Sequence, residues 1–244
     1  MFHLSKLVLP VLILAFAGCS KGGDDDGGGS KPGIITGIVK DEKGNPLRNA
    51  HIIIDNSITS GNNVDTYTGS DGKYTMSIPV GSFIAYGQYD APFHGNTYEY
   101  ELVSDNNDPF NREEAVVRNF TWKTKGRKDP PLTPGYHGGS VHVDKGLNST
   151  VLDRENIVFT LKPVETIDGS NANITARLIE DTYRLLDIPV GRYRISARHT
   201  DGTVIKLRIK NTGSFVNELE TELVPQIEGV GGVWCWNCVS IEYE

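Results

Sequence analysis

The stretch Trp234-Cys235-Trp236-Asn237-Cys238 is the part of the sequence best equipped for chemistry. Two thiols three positions apart can cycle between dithiol and disulfide, or close a small covalent loop. Redox catalysis needs the first cysteine at a helix N-terminus, where the dipole lowers its pKa. Here the pair leads into residues 239–243, whose alternation of Val239, Ile241 and Tyr243 with Ser240 and Glu242 reads as a strand. A structural disulfide between Cys235 and Cys238 is therefore the expectation. On a straight strand the two Cα atoms would lie roughly 10 Å apart, at ~3.3 Å per residue, whereas disulfides join Cα atoms about 4.4–6.8 Å apart. Closing the bond thus predicts a tight turn with Trp236 and Asn237 at its tip. An indole on such a knuckle suits stacking on a sugar ring or contact with another protein. Trp234, Trp236 and Asn237 are the candidate ligand-binding residues, and burial of both indoles in a core is the competing reading.

No catalytic constellation accompanies this segment. A zinc peptidase needs His-x-x-Glu, and none of His51, His94, His137, His142 or His199 has Glu three positions later. His-Glu-x-x-His, a Gly-x-Ser-x-Gly elbow and a phosphate loop are also missing. His137 and His142 form the closest histidine pair, with Asp144 the one carboxylate near them, and structural histidines are the expectation. Asp105-Asn106-Asn107-Asp108 offers oxygen donors without the spacing of a calcium loop, and reads as a turn. The sequence predicts a protein that is not an enzyme, with no catalytic residue, no metal ligands and no cofactor.

The elements that must position these residues are strands. Tyr74, Met76 and Ile78 alternate with Thr75 and Ser77; Tyr98, Tyr100 and Leu102 alternate with Glu99 and Glu101. Ile205, Leu207 and Ile209 alternate with Lys206 and Arg208 in the same way. Period-2 patterning with one apolar face predicts strands with one side on a core and one in water. Long helical periodicity is lacking, and Glu180 to Leu185 is the most helix-compatible stretch. The class is all-β, with two small β-sandwich domains in tandem.

The clearest local unit begins with Gly37-Ile38-Val39 and Gly44-Asn45-Pro46-Leu47, and continues through Ile52 and Ile54. It goes on with Ser70-Asp71-Gly72-Lys73-Tyr74 and Ile78-Pro79-Val80-Gly81. Asp71-Gly72 supplies the positive φ of a tight hairpin turn, and Pro79 with Gly81 ends the strand. This pattern resembles the carboxypeptidase regulatory-like family, also described as transthyretin-like, well over residues 34 to 86 and more loosely to Lys123. The resemblance implies a β-sandwich that sits in surface proteins, and no peptidase activity, because the module is the non-catalytic companion of the enzymes it is named after. Ile188-Pro189-Val190-Gly191-Arg192-Tyr193 echoes Ile78-Pro79-Val80-Gly81-Ser82-Phe83, which predicts a second sandwich of the same general, Ig-like or transthyretin-like, type. The expected units are residues 34–123 and 139–244. The Pro- and Gly-containing residues 124–138 are read as a connecting segment, or alternatively as a long hairpin of one unit.

The start of the chain sets the compartment. Lys6, an apolar run from Leu7 to Ala17, and the small pair Ala17-Gly18 before Cys19 have the layout of an export signal. The run is short of the ~20 residues a membrane-spanning helix needs. Ala15-Phe16-Ala17-Gly18-Cys19 resembles the bacterial lipobox, which implies removal of the signal peptide 1–18 and lipidation of Cys19. Residues 19–33 then form a flexible, acidic, Gly-rich linker. Its Asp24-Asp25-Asp26 resembles the export tracts of surface-displayed lipoproteins of the Bacteroidetes, which implies the outer face of the outer membrane. With Cys19 lipidated, two of the three cysteines remain to pair in an oxidising compartment. Loss of Lys6 moves the formal charge from −7 to −8, and no basic stripe for nucleic acid exists. The expected partners are the membrane, through the lipid, and either polysaccharide or another envelope protein. The expected role is a non-catalytic binding or scaffold module; the alternatives are an adhesive spacer contacting another envelope protein, and a thiol–disulfide or hydrolytic enzyme.

Overall fold

The structure is a computed structural model that describes residues 31–58, 61–178, 182–228 and 234–244. The signal peptide, Cys19 and the linker as far as residue 30 lie outside the described residues. Among the described residues there is no α-helix, and the one helical turn is the 3-10 turn Arg154–Asn156. The all-β expectation holds. Of the helix-compatible Glu180–Leu185 stretch, Arg184 and Leu185 open the strand Arg184–Ile188, while residues 180 and 181 lie outside the described residues.

Alternating side chains build two sheet pairs, each closed on its own apolar interior. In the first, Ile34–Asp41 lies between Lys73–Ser77, antiparallel, and Phe120–Trp122, parallel. Against it packs an antiparallel sheet in the order Val64–Tyr67, His51–Asn56, Ser82–Phe93, Asn96–Glu101. Ile35, Val39, Ile52, Ile54, Phe83, Tyr98 and Phe120 fill the space between them. In the second, Gly139–Lys145 lies between Arg184–Ile188, antiparallel, and Trp234–Tyr243, parallel. The opposing sheet runs Ile174–Arg177, Ile157–Thr166, Gly191–His199, Val204–Ile205, and Val141, Phe159, Leu161, Tyr193 and Ile241 form the core. The strand order is the same in both pairs.

The repeated Ile-Pro-Val-Gly falls at the same point of each, between the fourth strand and the fifth. Ile78 and Ile188 are both buried. A Cβ on Gly191 would meet the Glu165 carbonyl at 2.6 Å, so the close approach of backbones requires glycine there. Gly72 has φ 73° in the Asp71-Gly72 turn, but the turn is not the expected hairpin, because Val64–Tyr67 and Lys73–Ser77 on either side of it pair in different sheets.

The segment 205–210 differs from its reading as one strand. Val204–Ile205 pairs with Gly191–His199, whereas Leu207–Ile209 pairs with Trp234–Tyr243 in the opposite sheet. Lys206 makes the crossing, its N–H and C=O both bonded to Glu244. The first sandwich does the same after Asn96–Glu101, where Val103–Ser104 joins Phe120–Trp122. Alternation is preserved across such a crossing, because the same residues face the interior from either wall.

The sandwiches meet along a seam. Val190 is fully buried in the first core, although it belongs to the second repeat. The Tyr98 hydroxyl donates to the Leu223 carbonyl at 2.7 Å, and Thr124 Oγ1 donates to Asp168 at 2.7 Å. Residues 124–138 double back between them: Lys128 N–H donates to Gly135 O and His137 N–H to Gly126 O. The Asp187 carboxylate accepts from the backbone N–H groups of Gly126 and Gly138, tying both ends of that excursion to the second sandwich.

Candidate functional site

A groove of about 720 Å³ opens along this seam. One wall is the outer face of Ser82–Phe93 and Asn96–Glu101. Tyr98 and Tyr100 point inward there, so period 2 turns Glu99 outward, and the register sets Asp90 directly opposite it. Like charges placed opposite one another destabilise a strand pair. Neither carboxylate has a hydrogen bond or ion pair among the described residues. Glu101, on the same strand, is engaged instead: it accepts from Lys128 Nζ at 2.6 Å and Thr133 Oγ1 at 2.7 Å. Burial pushes its carboxyl up, but Lys128 and Thr133 together hold it below the usual range. The groove therefore carries unneutralised negative charge at Asp90 and Glu99.

The other wall comes from the connecting excursion, Val224–Glu228 and the last strand, with Tyr136, His137, Gln226, Trp236 and Asn237. Trp236 is 61% exposed and Tyr136 39%. His137 is 3% exposed, and its Nδ1 has no hydrogen-bond partner among the described residues. Burial, reinforced by Lys128 and Lys123, lowers its pKa and favours the neutral ring.

Trp236 is held by the covalent geometry around it. Cys235 and Cys238 form a disulfide with Cα atoms 6.0 Å apart, as the cysteine arithmetic predicts. The expected hairpin tip is not how the bond closes. Trp234–Tyr243 runs through the segment as one strand, paired to Val224–Glu228 with Gln226 opposite Trp236. Asn237 instead adopts φ 49°. Residues three apart on a regular strand face opposite sides, and this one left-handed residue lets both sulfurs meet on the same face of the strand. Both cysteines are buried, and the indole between them projects outward. Of the two readings of Trp236, exposure is the one observed. Trp234 opens the same strand, opposite Glu228.

The structure separates the histidines that the sequence pairs. His137 lines the groove, while His142, on Gly139–Lys145, places Nε2 at 3.1 Å from Cys235 Sγ. Burial pushes the His142 pKa down, with Arg184 adding to the effect. Asp105 accepts from the backbone and side chain of Asn119 at 3.0 and 2.9 Å, and the segment bends at Asp105 and runs on irregularly to Asp108 in place of the expected turn. Sequence reasoning did not single out Asp90, Glu99, Tyr136 or Gln226 as site residues, and it paired His142 with His137, not with the cysteines. Alternation marks Glu99 as outward-facing, but no local signal brings residues 90, 136, 226 and 236 to one place.

No protein-family model matches the sequence, and no curated protein matches it either. Similar solved structures include the Bacillus anthracis TIE protein, at 11% identity and TM-score 0.38, over 86% of this chain and 34% of that one. A DUF3823 family protein from Bacteroides ovatus is similar at 10% identity and TM-score 0.28, over 78% of this chain and 98% of that one. The C-terminal fragment of the pilus adhesin SpaC from Lactobacillus rhamnosus GG is similar at 11% identity and TM-score 0.28, over 86% and 95%. The chain spans about a third of the length of the first of these proteins.

Proposed function

We propose that this chain is a non-catalytic lipoprotein of the bacterial cell surface, held by a lipid on Cys19, that binds polysaccharide in the groove between its sandwiches. The observation that carries the reading is Trp236, exposed on a disulfide-braced strand in a groove that also holds Tyr136 and the free carboxylates Asp90 and Glu99. Aromatic rings with a few polar groups around them are the usual make-up of a ligand cleft. A sugar presents an apolar C–H face to an indole, and its hydroxyls donate to carboxylates and amides such as Gln226 and Asn237. The brace lowers the entropy lost on ordering the indole, which favours binding without adding contacts. The resemblance of residues 34–123 to the carboxypeptidase regulatory-like module supports a non-catalytic role, and the lipobox-like Ala17-Gly18-Cys19 supports the anchor. Because a fold does not fix a function, the groove and not the sandwich is the basis of the assignment.

Affinity electrophoresis against neutral and acidic polysaccharides tests it. Wild type is expected to be retarded by at least one neutral polysaccharide, and Trp236→Ala to lose that retardation while keeping wild-type stability. No retardation by any polysaccharide, or equal retardation of Trp236→Ala, would remove the sugar assignment. The pair Asp90/Glu99 also favours a second reading, a basic segment of another envelope protein in the same groove. Crosslinking on cells would then trap one partner in wild type and lose it in Asp90→Asn/Glu99→Gln.

A further inference from the structure

Three donor atoms of a kind that metals prefer converge where Gly139–Lys145 runs beside Trp234–Tyr243. His142 Nε2 and the sulfurs of Cys235 and Cys238 all lie within 4.8 Å of one another. The parallel register, Ser140 opposite Cys238 and His142 opposite Ser240, places the ring against the sulfurs. The cysteines are 5% and 0% exposed and His142 is half-buried; Val141, Val143 and Val239 fill the core, so the cluster lies on the opposite face of that sheet. A disulfide sulfur is a poor hydrogen-bond acceptor, and the contact with Cys235 is the one side-chain hydrogen bond that the described residues offer His142. The ring is half-buried, and a sulfur is a weak partner for it.

We propose that in the dithiol state Cys235, Cys238 and His142 bind one thiophilic divalent cation of the Zn²⁺ class, the disulfide being the closed, metal-free state of the same site. Opening requires a thiol reductant: the disulfide and two R–SH give two cysteine thiols and R–S–S–R. Binding then displaces the two thiol protons and leaves the cation with two thiolates and one neutral imidazole, the fourth position being open to water. With Zn–S about 2.3 Å and Zn–N about 2.0–2.1 Å, tetrahedral donors sit roughly 3.3–3.8 Å apart. The Nε2 to Sγ distance of 3.1 Å is already near that spacing. The sulfurs need to part by roughly 1.7 Å from bonding distance, and the chain at Asn237 is the place where the strand can lengthen. Two thiolates cancel the charge of the cation, so the buried site carries no net charge.

The test uses the full chain in detergent, reduced with a phosphine, freed of reductant under anaerobic conditions and titrated with Co²⁺. One equivalent is expected to give the thiolate-to-cobalt charge-transfer band and the intense visible bands of tetrahedral Co²⁺, with Zn²⁺ displacing it. The oxidised protein is expected to bind none. Cys235→Ser should abolish the charge-transfer band's two-thiolate intensity. His142→Ala, which leaves both cysteines in place, should weaken binding at least about tenfold on reduction. Equal binding by reduced wild type and reduced His142→Ala would overturn the site, because the ring would then not be a ligand. Absence of the cobalt bands in reduced wild type would overturn it as well. So would loss of near-UV dichroism on reduction that Zn²⁺ does not restore, because the site needs His142 held by its strand.

Discussion

Substituting Tyr98 by Phe removes one oxygen atom from the seam that forms the groove. The hydroxyl is fully buried and donates to the Leu223 carbonyl across the two sandwiches at 2.7 Å. Burial, with the nearby Glu222 carboxylate adding to it, pushes its pKa up to about 12, so at neutral pH it is a committed donor. The bond itself contributes about 0.5–1.5 kcal/mol net, and leaving a buried carbonyl without a partner costs about 1–3 kcal/mol. The ring stays in place, so no cavity term of the kind seen in large-to-small changes is added. Tyr98→Phe should therefore destabilise the protein by about 1–3 kcal/mol. Urea titration followed by far-UV dichroism reads this as a lower midpoint. Tyr193→Phe loses a comparable bond, to the Pro189 carbonyl at 2.7 Å, but inside the second repeat. It should cost a similar amount without affecting the groove, whereas Tyr98→Phe should also weaken ligand retention. Tyr67→Phe, exposed at the surface, is the control and should change stability by less than about 0.5 kcal/mol. If Tyr98→Phe proves as stable as Tyr67→Phe, the seam is not held in the way described.

His94 bridges two carboxylates of the second sandwich, with Nδ1 at 2.9 Å from Glu222 and Nε2 at 3.0 Å from Glu165. The hydrogen bonds to Glu222 and then Glu165 raise its pKa, so its contribution is fully present below the unfolded histidine value and fades as pH rises through the folded one. The melting temperature of wild type relative to His94→Gln should thus be highest at mildly acidic pH; a gap independent of pH would contradict the bridge. Burial raises the pKa of Tyr74, Tyr98, Tyr100 and Tyr193. Stability should therefore be unaffected by these groups below about pH 10 and fall steeply above it, as the unfolded chain releases protons that the folded one retains. Alkaline unfolding by dichroism should coincide with the main rise in tyrosinate absorbance, and separate transitions would count against the shared cause. A Cβ on Gly139 would overlap the Asn237 carbonyl and meet Leu223 Cδ2 at 2.7 Å. Gly139→Ala should cost at least about 2 kcal/mol through overpacking at the disulfide strand, measured as a drop in the urea midpoint; wild-type stability would contradict the close approach.

Much of the local structure was legible in the residues alone. Alternation is a property of the pleat, so Tyr98 and Tyr100 could be turned inward and Glu99 outward without knowing any partner. The Asp71-Gly72 turn, the doubled Ile-Pro-Val-Gly and the pairing of Cys235 with Cys238 are likewise short-range, set by φ preferences and covalent reach. The course of the chain at Asn237 was not legible, since either a hairpin tip or a single left-handed residue brings the two Cα atoms within bonding range, and pairing with Val224–Glu228 selected the second. Nor does alternation reveal that residues 205 and 207 belong to different sheets, because both walls present the same face to one core. The meeting of Asp90, Tyr136 and Trp236, and of His142 with the cysteines, belongs to tertiary structure. Parallel pairing and seam packing join segments far apart in the chain, and the burial energy that selects those partners is shared by the whole core and written in no single segment.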